Sequence, residues 1–216
     1  MSEAMIFQVM ISIVYLASIG MHLAKKNLSV ASLYGLQSAA LVLLIVPSFI
    51  EHPTVPLLVV ILVSILIKVI VAPRYFIRLV KRHELRFTVS SYANTPMTLI
   101  IIMVLTAFAG SAALAPITGL FEGSTVYLTL AVATMLISIF LMVNRKGALS
   151  QMIGILSVEN SIVAFAVIAG LEQSAIFQIG ALFDIFVWLL VATVFVSMVY
   201  RHTGSLDVTA MNRLRD

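Results

Sequence analysis

The chain contains no cysteine. That excludes thiolate-bound iron–sulfur clusters, cysteine nucleophiles and disulfides. Charge is scarce too: Asp, Glu, Lys and Arg make up 10% of the 216 residues. A water-soluble domain with so few charges would lack the polar surface needed to cover itself. Of the four histidines, His22, His52, His83 and His202, none lies at metal-ligand spacing from another, so no metal site is expected within the chain. Glu3 precedes the first apolar run and the first lysine is Lys25, so a cleaved signal peptide is not expected. No lipidation motif is visible.

Hydrocarbon is what the chain has in excess. Hydrophobic residues make up 62% of it, and the mean hydropathy is +1.14. Seven apolar stretches can be read, at roughly 4–23, 28–50, 56–80, 95–115, 125–143, 148–170 and 175–200. Each is long enough to cross about 30 Å of hydrocarbon at about 1.5 Å per residue. The expected fold is therefore all-α, a polytopic membrane protein of seven transmembrane helices. Pro73 should kink or end the third span. Its membrane part would then be 56–72, followed by an amphipathic extension carrying Arg74, Arg78, Lys81 and Arg82.

The connections alternate in charge. The first holds Lys25 and Lys26, the third the basic extension with Arg86, and the fifth Arg145 and Lys146, while Arg201, Arg213 and Arg215 lie in the tail. Glu51, Glu122 and Glu172 mark the connections between them. With seven spans, every one of the thirteen lysines and arginines except Lys68 falls on one side. The positive-inside rule places that side in the cytoplasm, with the N-terminus outside and the C-terminus inside. The net charge of +4 is thus sorted by membrane side rather than gathered into a nucleic-acid patch.

Three ionisable side chains break the pattern by sitting inside apolar spans: Lys68, Glu159 and Asp184. Placing a charge at the centre of a membrane helix costs about 2.5–3.5 kcal/mol on insertion scales, so such groups face a protein interior or a water path. Counted from their helix starts, they lie ~18, ~16 and ~14 Å in at the α-helical rise. All three fall near the bilayer midplane, and Gln37 lands there as well. Asn160 and Ser157 flank Glu159. Lys68 could pair with Glu159 or with Asp184, either as a structural lock between helices or as a couple that passes protons. A lone membrane glutamine such as Gln37 ordinarily makes an interhelical hydrogen bond.

Aligning Gly35 with Gly154 matches Lys26 to Arg145, Leu33 to Met152, Leu36 to Ile155 and Ser38 to Ser157. The chain then divides into an N-terminal three-helix unit with its basic extension (1–94), a linking helix (95–122) and a C-terminal three-helix unit with a short tail (123–216). The two units run in the same direction, as in a parallel repeat.

Several motifs carry a family resemblance. Asn144-Arg145-Lys146, Ile153-Gly154, Glu159-Asn160, Ala164-Phe165-Ala166-Val167 and Gly204-Ser205-Leu206-Asp207-Val208 resemble the K subunit of bacterial respiratory complex I and the C subunit of Mrp-type sodium/proton antiporters. That likeness covers under half of the chain. Over its whole length the chain resembles the hydrogenase-4 component E family, through Leu33-Tyr34-Gly35-Leu36-Gln37-Ser38, Ile67-Lys68-Val69 with Pro73, Val158-Glu159-Asn160 and the segment from His202 to Val208. The complex I K subunit carries its first membrane glutamate where Leu156 stands here, one helical turn before Glu159.

The resemblance implies a multi-pass subunit of the cytoplasmic (inner) membrane, in a group 4 nickel–iron hydrogenase or formate hydrogenlyase complex. Its partners would be antiporter-like membrane subunits, a membrane anchor subunit and, indirectly, a peripheral arm holding the nickel–iron and iron–sulfur centres, with the lipid bilayer around it. The subunit would hold no cofactor and no catalytic residue of its own within that oxidoreductase. Glu159, Asp184 and Lys68 would form its proton or ion relay, with Gln37, Asn160 and Ser157 as supporting polar groups. A purely architectural subunit and a stand-alone small transporter are the alternatives.

Overall fold

A computed structural model of the protein describes residues 3–82, 90–119 and 125–171, with the isolated positions 186, 193 and 197. Among the described residues the architecture is all-helical. The chain runs through α1 (Glu3–Leu23), α2 (Asn27–Glu51), α3 (Val55–Ser64), a π-helical segment (Ile65–Val71), α4 (Ala72–Arg82), α5 (Thr95–Ala109), the short α6 (Ala115–Thr118), α7 (Thr125–Asn144) and α8 (Ala148–Ile168). Among the described residues, five helical stretches are long and apolar enough to cross a membrane: Met5–Leu23, Asn27–Glu51, Val55–Arg78, Thr125–Asn144 and Leu149–Ile168. They match the first, second, third, fifth and sixth expected spans. The seventh, 175–200, lies outside the described residues, apart from isolated positions.

The fourth expected span, 95–115, differs. Its helix starts under an Asn94 cap, whose side chain accepts from the Met97 N–H at 3.0 Å, and ends at Ala109. At about 1.5 Å per residue, a helix of this length falls short of about 30 Å of hydrocarbon. Gly110 caps it, and after a turn the chain re-enters helix at Ala115-Pro116, where proline suits a first helical turn.

Pro73 does not end the third span. Proline has no N–H to donate one turn back, and its ring crowds the carbonyl there. The chain answers with a wider turn just before it: residues 65–71 are π-helical, and the Ala72 N–H reaches the Ile67 carbonyl. An extra residue in the turn lets a helix continue through such a site. Beyond it α4 is amphipathic, with Ala72, Phe76 and Val80 buried while Arg74, Arg78 and Lys81 are exposed.

Helical hairpins organise the core. α1 packs on α2 and α7 on α8, and the two hairpins lie side by side with α1 against α7 and α2 against α8. Their turns share one end, since Arg145 reaches the carbonyls of Met21, His22 and Ala24 and Ser150 donates to Asn27 Oδ1 at 3.2 Å. The segment before α5 joins the same end: the Tyr92 N–H donates to the Asn144 carbonyl and the Lys146 N–H to the Ser90 carbonyl. The first, third and fifth connections, all basic, therefore meet at one face of the bundle.

The two aligned glycines mark close approaches. A Cβ on Gly154 would lie 3.0 Å from Met142 N and 3.1 Å from its Cα, so α7 and α8 touch backbone to backbone there. A Cβ on Gly35 would lie 3.1 Å from Pro73 Cγ, so α2 rests on the proline ring. Small residues at such crossings let membrane helices pack tightly. Gly154→Ala is expected to destabilise the protein by about 1–3 kcal/mol through overpacking. Gly110→Ala, whose Cβ would meet nothing nearer than 3.7 Å, should leave the unfolding temperature in detergent unchanged.

Candidate functional site

Lys68 lies on the π-helical segment and is 2% exposed. Its ammonium donates to Glu159 Oε1 at 2.6 Å and to Asn160 Oδ1 at 3.1 Å. Of the two partners the sequence allowed, Glu159 is the one in contact; Asp184 lies outside the described residues. Both acceptors come from consecutive residues of α8, so the pair fastens the π segment to that helix. Lysine has three donors and no acceptor, and an amide oxygen with a carboxylate is what its ammonium requires when taken out of water.

From this pair a hydrogen-bond chain runs across the bundle. Asn160 Nδ2 donates to Ser38 Oγ at 3.0 Å and Gln37 Oε1 at 3.2 Å. Gln37 Nε2 donates to Ser18 Oγ at 2.7 Å and Ser157 Oγ at 2.8 Å. Ser157 and Ser138 pair through their hydroxyls at 2.7 Å. The orientation of both amides follows from these neighbours, since the opposite flip of Asn160 would aim an NH2 at an ammonium. The α1 helix contributes Ser18, α2 Gln37 and Ser38, α7 Ser138, and α8 Ser157, Glu159 and Asn160. All but Glu159 are buried; Glu159 is 12% exposed.

Lys68, Glu159, Asn160, Gln37 and Ser157, five of the six residues singled out from the sequence, thus form one continuous polar layer. Ser18 and Ser138 were missed, because a serine in an apolar helix carries no mark of which way it faces. Ser38 was noticed as the match of Ser157 in the aligned segments and also belongs to the layer. Tyr34, fully buried one turn before Gln37, sits within electrostatic reach of Glu159.

A second buried cation stands at the basic end. Arg145 is 2% exposed, and its Nη2 donates to the carbonyls of Met21, His22 and Ala24 at 2.5, 2.7 and 3.1 Å. These are carbonyls at the C-terminal end of α1, which have no partner within the helix and carry the negative end of its dipole. Burial lowers the guanidinium to about 10, which leaves it charged at neutral pH. In the sequence Arg145 stands as a basic connection residue, the match of Lys26 and part of the Asn144-Arg145-Lys146 motif; in the structure it is also a cap shared between hairpins. Beside it His22 sets Nε2 2.9 Å from the Ile137 carbonyl and stacks on Phe140 at 4.8 Å. Among the described residues, no group of three or more His, Cys, Asp or Glu could hold a metal ion.

The fold and site define a multi-pass α-helical membrane protein with a buried lysine–carboxylate pair at its centre. No family profile matches the chain, and no solved structure does. It is 32% identical over 126 residues to an uncharacterized protein of Mycobacterium tuberculosis, Rv0085. The match covers 57% of this chain and 56% of that protein, so the chain spans about half the length of this relative.

Chemically, the pair offers a short hydrogen bond along which a proton can pass from ammonium to carboxylate, with a chain of amides and hydroxyls behind it. Breaking it should be costly: Lys68→Met alone is expected to destabilise the fold by roughly 3–5 kcal/mol, because it strands the Glu159 carboxylate. The double variant Lys68→Met with Glu159→Gln should recover most of that loss. A double-mutant cycle on unfolding in detergent checks the coupling, and additive single effects would rule it out. Arg145→Ala should cost about 1–3 kcal/mol by leaving the α1 carbonyls buried without their donor.

Proposed function

We propose that the protein is a membrane subunit of a group 4 hydrogenase-related, complex I-like respiratory complex in the cytoplasmic membrane. In this reading α5, its turn and α6 together make the fourth of seven spans, and the basic end faces the cytoplasm. Its role is to couple redox chemistry in a peripheral arm to proton or sodium translocation, with Glu159 and Asp184 as protonatable relays and Lys68 as the charge that tunes them. The observation that carries this reading is the 2.6 Å Lys68–Glu159 pair, embedded in a polar layer that crosses the bundle sideways. A layer perpendicular to the helices suits lateral hand-over to neighbouring membrane subunits better than a vertical pore within one chain. The resemblance of Lys68, Glu159-Asn160 and the Gln37 segment to hydrogenase-4 component E points the same way. Antiporter-like subunits and an anchor subunit are the partners this assigns.

One observation favours an architectural reading. Asn160 and Gln37 have both ends of their amides hydrogen-bonded, as expected of a lock that fixes helix register. The two readings part on one variant. Glu159→Gln, which keeps an acceptor for Lys68, is expected to leave the complex assembled and to abolish coupled ion pumping in reconstituted vesicles. Pumping at the wild-type rate would leave only the lock. Co-purification of a nickel–iron large subunit with antiporter-like subunits tests the assignment to the complex itself.

A further inference from the structure

We infer that the outer stripe of α3, the π segment and α4 is a binding face for an anionic phospholipid. On α4 the side chains of Arg74, Arg78 and Lys81 are all exposed, at spacings that align them on one side of the helix. The opposite side, Ala72, Phe76 and Val80, is sealed into an apolar cluster with Met21, Val30 and Tyr34. Ala24 and Leu28, which flank the exposed Lys25 and Lys26, pack on the same cluster, so five cations gather at one corner of the bundle. Among the described residues the ion pair is Lys68–Glu159, and none of these five is neutralised by a described carboxylate.

What lies beneath the cations selects the ligand. Moving down the same helix from Arg74, the exposed side chains are Val71, Leu66, Ile65 and Leu62, all hydrocarbon. Arg74 and Arg78 stand six and ten residues beyond Lys68, about 9 and 15 Å along the axis. With Lys68 near the midplane, Arg78 reaches the edge of a hydrocarbon core about 30 Å thick, and Arg74 snorkels up to it along the helix. A ligand that fits must carry negative charge at headgroup height and an acyl chain below it. An acidic protein surface or a free phosphate supplies only the first. The two phosphate-matching guanidiniums, one helical turn apart, offer the fork that phosphate oxygens accept.

The test is native mass spectrometry of the full chain in neutral detergent, titrated with dioleoylphosphatidylglycerol or dioleoylphosphatidylcholine. Phosphatidylglycerol should be retained preferentially. Arg74→Gln, Arg78→Gln and Lys81→Gln should each weaken its binding about fivefold, and the three together about a hundredfold. The charge-keeping variant Arg74→Lys with Arg78→Lys should bind phosphatidylglycerol more tightly than Arg74→Gln with Arg78→Gln but less tightly than the wild type, which separates lost charge from lost fold. Equal retention of the two lipids would overturn the proposal. So would a triple variant that binds phosphatidylglycerol as the wild type does, or displacement of the lipid by millimolar inorganic phosphate. A triple variant that keeps the lipid but loses a subunit from the assembled complex would assign the face to an acidic protein partner instead.

Discussion

An ammonium and a carboxylate brought together inside a hydrocarbon-rich bundle set the terms for everything around them. Neither Lys68 nor Glu159 is tolerable there alone, since each would face the cost of a lone charge without water. Once paired, they need acceptors and donors for what remains of their hydrogen-bonding capacity. Asn160 supplies an oxygen to Lys68, which commits its nitrogen to Ser38 and Gln37. Gln37 in turn commits Ser18 and Ser157. One ion pair thereby dictates polar residues on three further helices, α1, α2 and α7, and the order in which these helices can pack narrows with each one.

The π-helical turn belongs to the same constraint. Pro73 forces some departure from α geometry one turn upstream, and Lys68 occupies the turn that widens. The Gly35 surface of α2 rests on the Pro73 ring, and Tyr34 and Phe76 meet edge to face beside it. The proline, the glycine and the lysine thus act together: the first reshapes the helix, the second lets it come close, and the third anchors it to α8. At the basic end Arg145 does the equivalent for the two hairpins, tying the α7–α8 turn to the end of α1.

Much of this is legible in the sequence. The first, second, third, fifth and sixth spans came within a few residues, because long apolar runs separated by charged turns have one economical solution in a bilayer. Lys68, Glu159 and Gln37 could be set at one depth by counting rise along each span, and they do share one hydrogen-bonded layer. What could not be read was azimuth. In a helix that is apolar nearly all round, periodicity no longer marks an inner face, so Ser18 and Ser138 looked no different from Ser12 or Ser29. Arg145 is a related case: its loop position gives no sign of the buried site that the orphan carbonyls of α1 make for it. The shortened α5 reflects local chemistry, a Gly110 cap and Pro116, that an apolar count over 95–115 passes over.

The helical stretch from Val55 to Arg82 presents two unlike faces, and their separation matters for how the bundle could work. Its inner side carries Lys68 to the polar layer; its outer side carries hydrocarbon below and cations above. Between the two lies the π turn, where the ladder is out of α register and the Ala72 N–H reaches the Ile67 carbonyl. Lys68 sits in that turn. The same turn therefore sets both where Lys68 meets Glu159 and Asn160 and which side of the helix Arg74 and Arg78 occupy beyond it.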